Sequence, residues 1–150
     1  MPEFVVSSVV RTLNKGGLAV RGSRILVLGL ACKADIDDDR ESPAYPIMSL
    51  LTEMGAEVSY NDSYISEVPS KREYSQFQGK HSVPVDPGYD LFVLVTPHSE
   101  YRSIDFASLG VPIVDTRNVV AKRTPGLVGQ ELNRRLSTVD ARRSRIAVRS

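Results

Sequence analysis

Two short apolar runs constrain this chain more than any other feature. In Arg24-Ile25-Leu26-Val27-Leu28-Gly29-Leu30-Ala31 and in Asp90-Leu91-Phe92-Val93-Leu94-Val95-Thr96, the apolar residues are consecutive rather than alternating. A strand with one wet face alternates; a strand covered on both faces does not, and such strands belong to parallel sheets layered between helices. The stretch after the first run agrees. Ser42 can cap orphan amides, and Pro43 suits a first helical position, where its missing N–H costs nothing. Ile47, Leu50, Leu51 and Met54 then fall on one helical face, and Gly55 ends the run. With a second strand over 56–61, residues 24–61 form one βαβ unit with a right-handed crossover.

The flanks are read in the same way. Val5, Val9 and Leu13 make the stripe of a helix over residues 3–14, stopped by Lys15-Gly16-Gly17. Residues 62–88 are rich in Ser, Pro and charge and carry no clear element. Residues 103–109 suit a short helix bearing Ile104, Phe106 and Leu109, and residues 112–115 suit a last strand with Arg117 just beyond it. The expected fold is α/β: a single open parallel sheet flanked by helices, with an N-terminal helix and a basic C-terminal tail. Its parts are a leading helix and linker (1–22), the sheet domain (23–118) and the tail (119–150). Leu26, Val27, Leu28, Val58, Phe92, Val93, Leu94 and Val114 are expected inside.

Composition excludes several classes. A hydrophobic fraction of 41% and a charged fraction of 25% fit a folded globular chain of one domain. No apolar run approaches the roughly 20 residues that span a bilayer, and no secretory signal is visible at the start. The single cysteine, Cys32, forms no internal disulfide, which fits a reducing cytoplasm. Residues 119–150 hold eight Lys or Arg against Glu131 and Asp140, a surplus of six positive charges that leaves residues 1–118 at −5 within the overall +1. A basic tail without interleaved aromatics or a reading motif argues against nucleic acid as the partner.

Chemistry points to the loop after the first strand, Cys32-Lys33-Ala34-Asp35-Ile36-Asp37-Asp38-Asp39-Arg40-Glu41. In a dinucleotide fold this turn is Gly-rich, so that amides can approach a pyrophosphate. Here Gly29 stands alone and carboxylates crowd the loop, so phosphate would have to meet the cations Lys33 and Arg40. A calcium loop starting at Asp35 fails, because it needs Gly at its sixth position and Glu at its twelfth but finds Arg40 and Pro46. A magnesium site of the receiver type would put its acidic pair directly at the strand end, where Lys33 and Ala34 intervene. A structural reading has Asp37, Asp38 and Glu41 capping the following helix and offsetting Arg40.

The stretch Leu28-Gly29-Leu30-Ala31-Cys32-Lys33-Ala34-Asp35-Ile36-Asp37-Asp38-Asp39-Arg40-Glu41-Ser42-Pro43-Ala44 resembles the signature of the C-terminal, UDP-binding domain of UDP-glucose/GDP-mannose dehydrogenases. Gly55-Ala56-Glu57-Val58, Tyr60-Asn61-Asp62-Ser63-Tyr64, Thr96-Pro97-His98-Ser99-Glu100-Tyr101 and Asp115-Thr116-Arg117-Asn118 extend it. The last of these looks most like the N-acetylhexosamine members. The resemblance implies a Rossmann-like domain of an oxidoreductase that oxidises a nucleotide sugar with NAD. It also implies that the NAD-binding domain and catalytic cysteine of that family belong to other segments.

The expected role is therefore nucleotide-sugar binding, without catalysis or tight NAD binding by this chain alone. By resemblance, Lys33, Arg117 and the position of Cys32 meet the UDP-sugar, and Arg40 reaches toward the cofactor. Cys32 stands where the family carries an aromatic, Ala34 where it carries proline, and Asp39 where it carries a neutral residue; a buried structural thiol is expected at 32. Alternatives are an interaction module that complements a separate dehydrogenase chain, or a relic without binding. With its original partner absent, the stripe of residues 3–14 is expected to be covered by self-association or to be disordered, and a separate dehydrogenase chain is the other partner expected. His98, at a strand's carboxyl end, has no carboxylate partner identifiable in sequence and is expected to serve a hydrogen-bonding structural role.

Overall fold

In a strand, successive side chains point to opposite faces, so consecutive apolar residues need cover on both. The computed structural model describes residues 2–116 and supplies that cover. Strands β1 (Arg24–Leu28), β2 (Glu57–Asn61), β3 (Leu91–Leu94) and β4 (Ile113–Asp115) form one parallel sheet in the order β2-β1-β3-β4. Ile25, Val27, Leu91 and Val93 face a core shared with helices α1 (Pro2–Lys15) and α2 (Ala44–Glu53). Leu26, Leu28, Phe92 and Leu94 face a second core closed by Tyr101, Phe106 and Val111. Tyr101 lies on the 3-10 turn Ser99–Ser103, and Phe106 opens α3 (Phe106–Leu109). Of the eight residues expected inside, seven are buried and Val114, on the edge strand, is partly so.

Helix α2 begins as its sequence suggests. The Ser42 hydroxyl accepts the Ala44 N–H at 3.1 Å, and Pro43 already has helical dihedrals (φ −70°, ψ −12°). The capping expectation for the acids is corrected: Asp37, Asp38 and Glu41 do not cap this helix. Asp38 instead binds Arg40, and the buried Asp39 accepts from the Tyr45 hydroxyl at 2.6 Å and from Lys71 at 2.9 Å. Asp39 therefore adds no free negative charge to the loop, because Lys71 offsets it from the neighbouring segment.

The leading helix is a second correction. Val5, Val6, Val9 and Leu13 of α1 are buried within the α2 core of the same chain, so the stripe needs neither a second copy nor a partner to cover it. At roughly 1.5–3 kcal/mol for each fully buried side chain, α1 belongs to the sheet's own packing. Residues 62–88, whose sequence carries no clear element, make an irregular excursion that inserts Ile65, Val68 and Phe77 into the same core. It contains the 3-10 turn Ser75–Phe77 and a bridge between Glu67 and His81.

The sheet reverses its direction of growth beside β1. From β1 the chain moves outward to β2, then returns to place β3 on the other side of β1. In open α/β sheets the crevice beyond the carboxyl ends at such a reversal is where ligands bind. Here that position is bordered by the loop after β1, which holds Lys33, and the segment after β3, which holds His98.

Candidate functional site

Gly29 opens the site because only glycine fits there. Its φ is +94°, and an added Cβ would lie 2.5 Å from the backbone oxygen and Cβ of Thr96. This close approach brings the exits of β1 and β3 together, and the Thr96 hydroxyl donates to the Ala31 carbonyl. The amides that follow Gly29 are those a dinucleotide fold offers to a pyrophosphate. In this chain they are taken. Oδ2 of Asp62 accepts the Leu30 N–H at 2.7 Å and the Ala31 N–H at 2.9 Å.

Asp62 follows β2 and is fully buried. Its Oδ1 accepts the Tyr64 and Ile65 amides at 2.8 and 3.2 Å, and its own N–H goes to the Ser82 hydroxyl. Burial pushes this carboxyl toward a higher pKa. The hydrogen bonds from His98 and from the Leu30, Ala31 and Tyr64 amides outweigh burial, and it titrates below the ordinary aspartate value.

His98 completes the cluster and is also fully buried. Its Nδ1 lies 2.8 Å from the Asp35 backbone nitrogen, and its Nε2 lies 2.8 Å from Asp62 Oδ2. An amide can only donate, so Nδ1 is an acceptor, and the proton sits on Nε2 facing the carboxylate. The half-exposed Tyr64 ring packs on the imidazole at 4.7 Å between centroids. The structural role expected of His98 is what the contacts give it; its carboxylate partner, absent from the sequence reading, is Asp62. The signal was available: an acid at the end of the second strand is a recurrent feature of doubly wound folds, and Asn61-Asp62 stands there.

The Lys33 loop is fastened at several points. The Cys32 N–H donates to the Asp38 carbonyl at 2.7 Å, which closes residues 32–38 into a compact turn. Asp35 takes a left-handed backbone (φ 64°), gives its amide to His98, and accepts the Ser99 N–H at 2.7 Å and the Ser99 hydroxyl. The Ser99 hydroxyl and amide hold the Asp35 carboxyl below its usual range. Lys33 itself is exposed on this turn.

Other expected site residues are distributed less simply. Cys32 is a free thiol of intermediate exposure, which corrects the expectation of a buried one. The Arg40 guanidinium is exposed and doubly bonded to Asp38, at 3.0 Å through Nε and 2.7 Å through one terminal nitrogen. Those bonds draw the Asp38 carboxyl down to about 2. A groove of about 510 Å³ opens beside Arg40 and is lined by Lys71, Arg72, Tyr45, Tyr74 and Ser70; Lys33 is not part of it. Arg117 and the basic tail lie outside the described residues. No described helix is long and apolar enough to cross a membrane.

Known proteins resemble this chain in both sequence and fold. It is 28% identical over 139 residues to UDP-N-acetyl-D-mannosamine dehydrogenase of Pyrococcus horikoshii, covering 89% of this chain and 31% of that protein. It is 31% identical over 117 residues to UDP-glucose 6-dehydrogenase of Rhizobium meliloti, covering 75% of this chain and 27% of that one. The solved UDP-D-ManNAc dehydrogenase of Pyrococcus horikoshii superposes with a TM-score of 0.66 at 29% identity, over 85% of this chain and 29% of its own. The NDP-N-acetyl-D-galactosaminuronic acid dehydrogenase of Methanosarcina mazei gives 0.61 at 26% identity, over 83% and 24%. The chain thus spans about a third or less of the relatives it matches. Residues 26–122 match the family's UDP binding domain, and the chain belongs to the UDP-glucose/GDP-mannose dehydrogenase family.

Proposed function

We propose that this chain binds a UDP-sugar in the crevice beyond β1 and β3, with Lys33 supplying charge to the diphosphate and Arg117 and Cys32 completing the contact. The observation that carries the reading is the fastened Lys33 turn at the point where the sheet reverses. A cation on a mostly fixed backbone has less freedom to lose when it meets a diphosphate. The relatives named for UDP-N-acetyl-D-mannosamine favour an N-acetylhexosamine as the sugar.

Oxidation of that sugar is proposed for a larger assembly, with NAD held outside residues 2–116 and Arg40 released from Asp38 to reach it. Within this domain the amides that would hold a dinucleotide are already bonded to Asp62. A second reading, in which the domain complements a separate dehydrogenase chain, draws support from the same engaged amides.

The test is a calorimetric titration with UDP, GDP and their sugars. Binding should be weak, with Kd in the high-micromolar to millimolar range, about −4 to −6 kcal/mol. Lys33 is solvent-exposed, so Lys33→Ala should cost about 1 kcal/mol, a roughly fivefold loss. Added salt should weaken binding as well. A flat titration with every UDP ligand would remove the reading.

A further inference from the structure

We propose that His98 is a positioning residue for ligand binding: it holds the turn that presents Lys33 by accepting the Asp35 amide at Nδ1 while bound to Asp62 through Nε2. This rests on the reading that Lys33 meets the UDP-sugar. His98 is wholly buried and does not meet the ligand itself. Its ring is fixed from several sides, by Asp62 at Nε2, by Tyr64 at 4.7 Å and by Tyr101 at 5.7 Å between centroids. A ring so held is a rigid acceptor for the one amide it faces.

That amide is two residues from Lys33, on a turn without helical or strand hydrogen bonding. Asp35 is non-glycine at φ 64°, a conformation that persists where surrounding contacts over-determine it. Its amide has His98 and its carboxylate has Ser99, so the turn is clasped from the β3 side at both groups. Without the His98 clasp, the closing bond from Cys32 to Asp38 and the exposed Asp35–Ser99 contacts remain, but the Asp35 amide loses its one tie to the buried side. Lys33 would then sample a wider volume, and a ligand would have to order it on binding.

Two substitutions divide the two nitrogens of His98. In His98→Gln the side-chain amide reaches the Nε2 position and can still donate to Asp62, but the Asp35 N–H loses its acceptor. In His98→Asn the amide oxygen lies near the Nδ1 position and keeps that acceptor, while the Asp62 contact is lost. The expectation is a roughly fivefold weaker Kd for UDP-N-acetylglucosamine in His98→Gln, with faster hydrogen exchange at the Lys33 and Asp35 amides. His98→Asn should stay within about twofold of the unmodified chain even if its melting temperature falls further. A purely structural histidine would make affinity follow stability instead, and that result overturns the proposal.

If either His98 variant fails to fold, nitrogen NMR of the unmodified chain decides the matter. An unprotonated Nδ1 coupled through the hydrogen bond to the Asp35 amide, with slow exchange at the Lys33 and Asp35 amides, supports the proposal. A protonated Nδ1, or unprotected amides at both residues, overturns it. If no variant and no unmodified chain binds the UDP-sugar, the proposed function fails, and hydrogen exchange then decides the positioning role alone. Protection of the Lys33 and Asp35 amides lost in His98→Gln but kept in His98→Asn supports it, and equal protection in both overturns it.

Discussion

Asp62 is the residue on which the carboxyl end of the sheet depends. It joins the exits of three of the four strands: the amides after β1, its own position after β2 and the imidazole after β3. Asp62→Ala leaves several buried donors without an acceptor, at about 1–3 kcal/mol each. Urea denaturation should therefore show a loss of at least about 3 kcal/mol, or no fold at all. The carboxyl also sets an acid limit. Its folded pKa lies below the unfolded value of about 3.9, so the stability it confers is complete above that value and is lost as pH falls through the folded one. Below about pH 4 the unfolding free energy should fall more steeply in the unmodified chain than in Asp62→Asn. Gly29 gives a second test at this scale. Gly29→Ala forces a Cβ into the Thr96 backbone at a positive φ and should cost about 3 kcal/mol or more. Gly17→Ala shares the positive φ but meets nothing within 4 Å, so it should cost only about 1 kcal/mol. Lys33, Arg40 and His98 could be singled out from sequence because charge and strand ends are local facts. Asp62 could be singled out by its strand end as well, but not its contacts, since they depend on residues 31 to 36 positions away meeting in space.

Elements were more legible than their partners. Strands β1 and β3 follow from consecutive apolar runs, β2 and β4 from shorter stretches that follow a glycine or a proline, and the helix after β1 from a Ser-Pro start and a terminal Gly, all short-range signals. Their order in the sheet, and what covers α1, follow from packing that a pattern does not encode. The stripe Val5, Val9, Leu13 announces a buried face without saying what buries it, and the answer is the core shared with α2, with Val6 added. The excursion over 62–88 is illegible for the opposite reason: its apolar anchors Ile65, Val68 and Phe77 follow no period, because no regular element of four or more residues carries them. If α1 belongs to the sheet's core, Leu13→Ala should destabilise the chain by about 2–5 kcal/mol, as a cavity in any core does. Phe4 on the same helix is 66% exposed, so Phe4→Ser should stay within about 0.5 kcal/mol. Chemical denaturation of the two variants separates the cases. A near-neutral Leu13→Ala would mean that α1 packs elsewhere in solution.

At the scale of the whole molecule, the question is which nucleotide this domain can hold without further segments. A UDP-sugar and NAD both carry a diphosphate, so charge at Lys33 does not distinguish them. The turn after β1 does. A dinucleotide in a doubly wound sheet places its pyrophosphate on the amides of that turn, and here a buried carboxylate of the chain occupies them. NAD would have to displace Asp62 and leave its charge unpaired in the interior, which costs several kcal/mol. A UDP-sugar approaching from the exposed side of the Lys33 turn displaces nothing. With a Kd of about 1 mM, 10 mM ligand stabilises the folded state by about 1.4 kcal/mol. For a domain of this size that raises the melting temperature by roughly 5 °C. Thermal unfolding should therefore show a shift of that order with UDP-N-acetylglucosamine, a clearly smaller one with NAD at the same concentration, and no NADH when both are present. An NAD shift equal to or above that of the UDP-sugar would mean that Asp62 yields its amides, and that the domain holds a dinucleotide at the β1 turn after all.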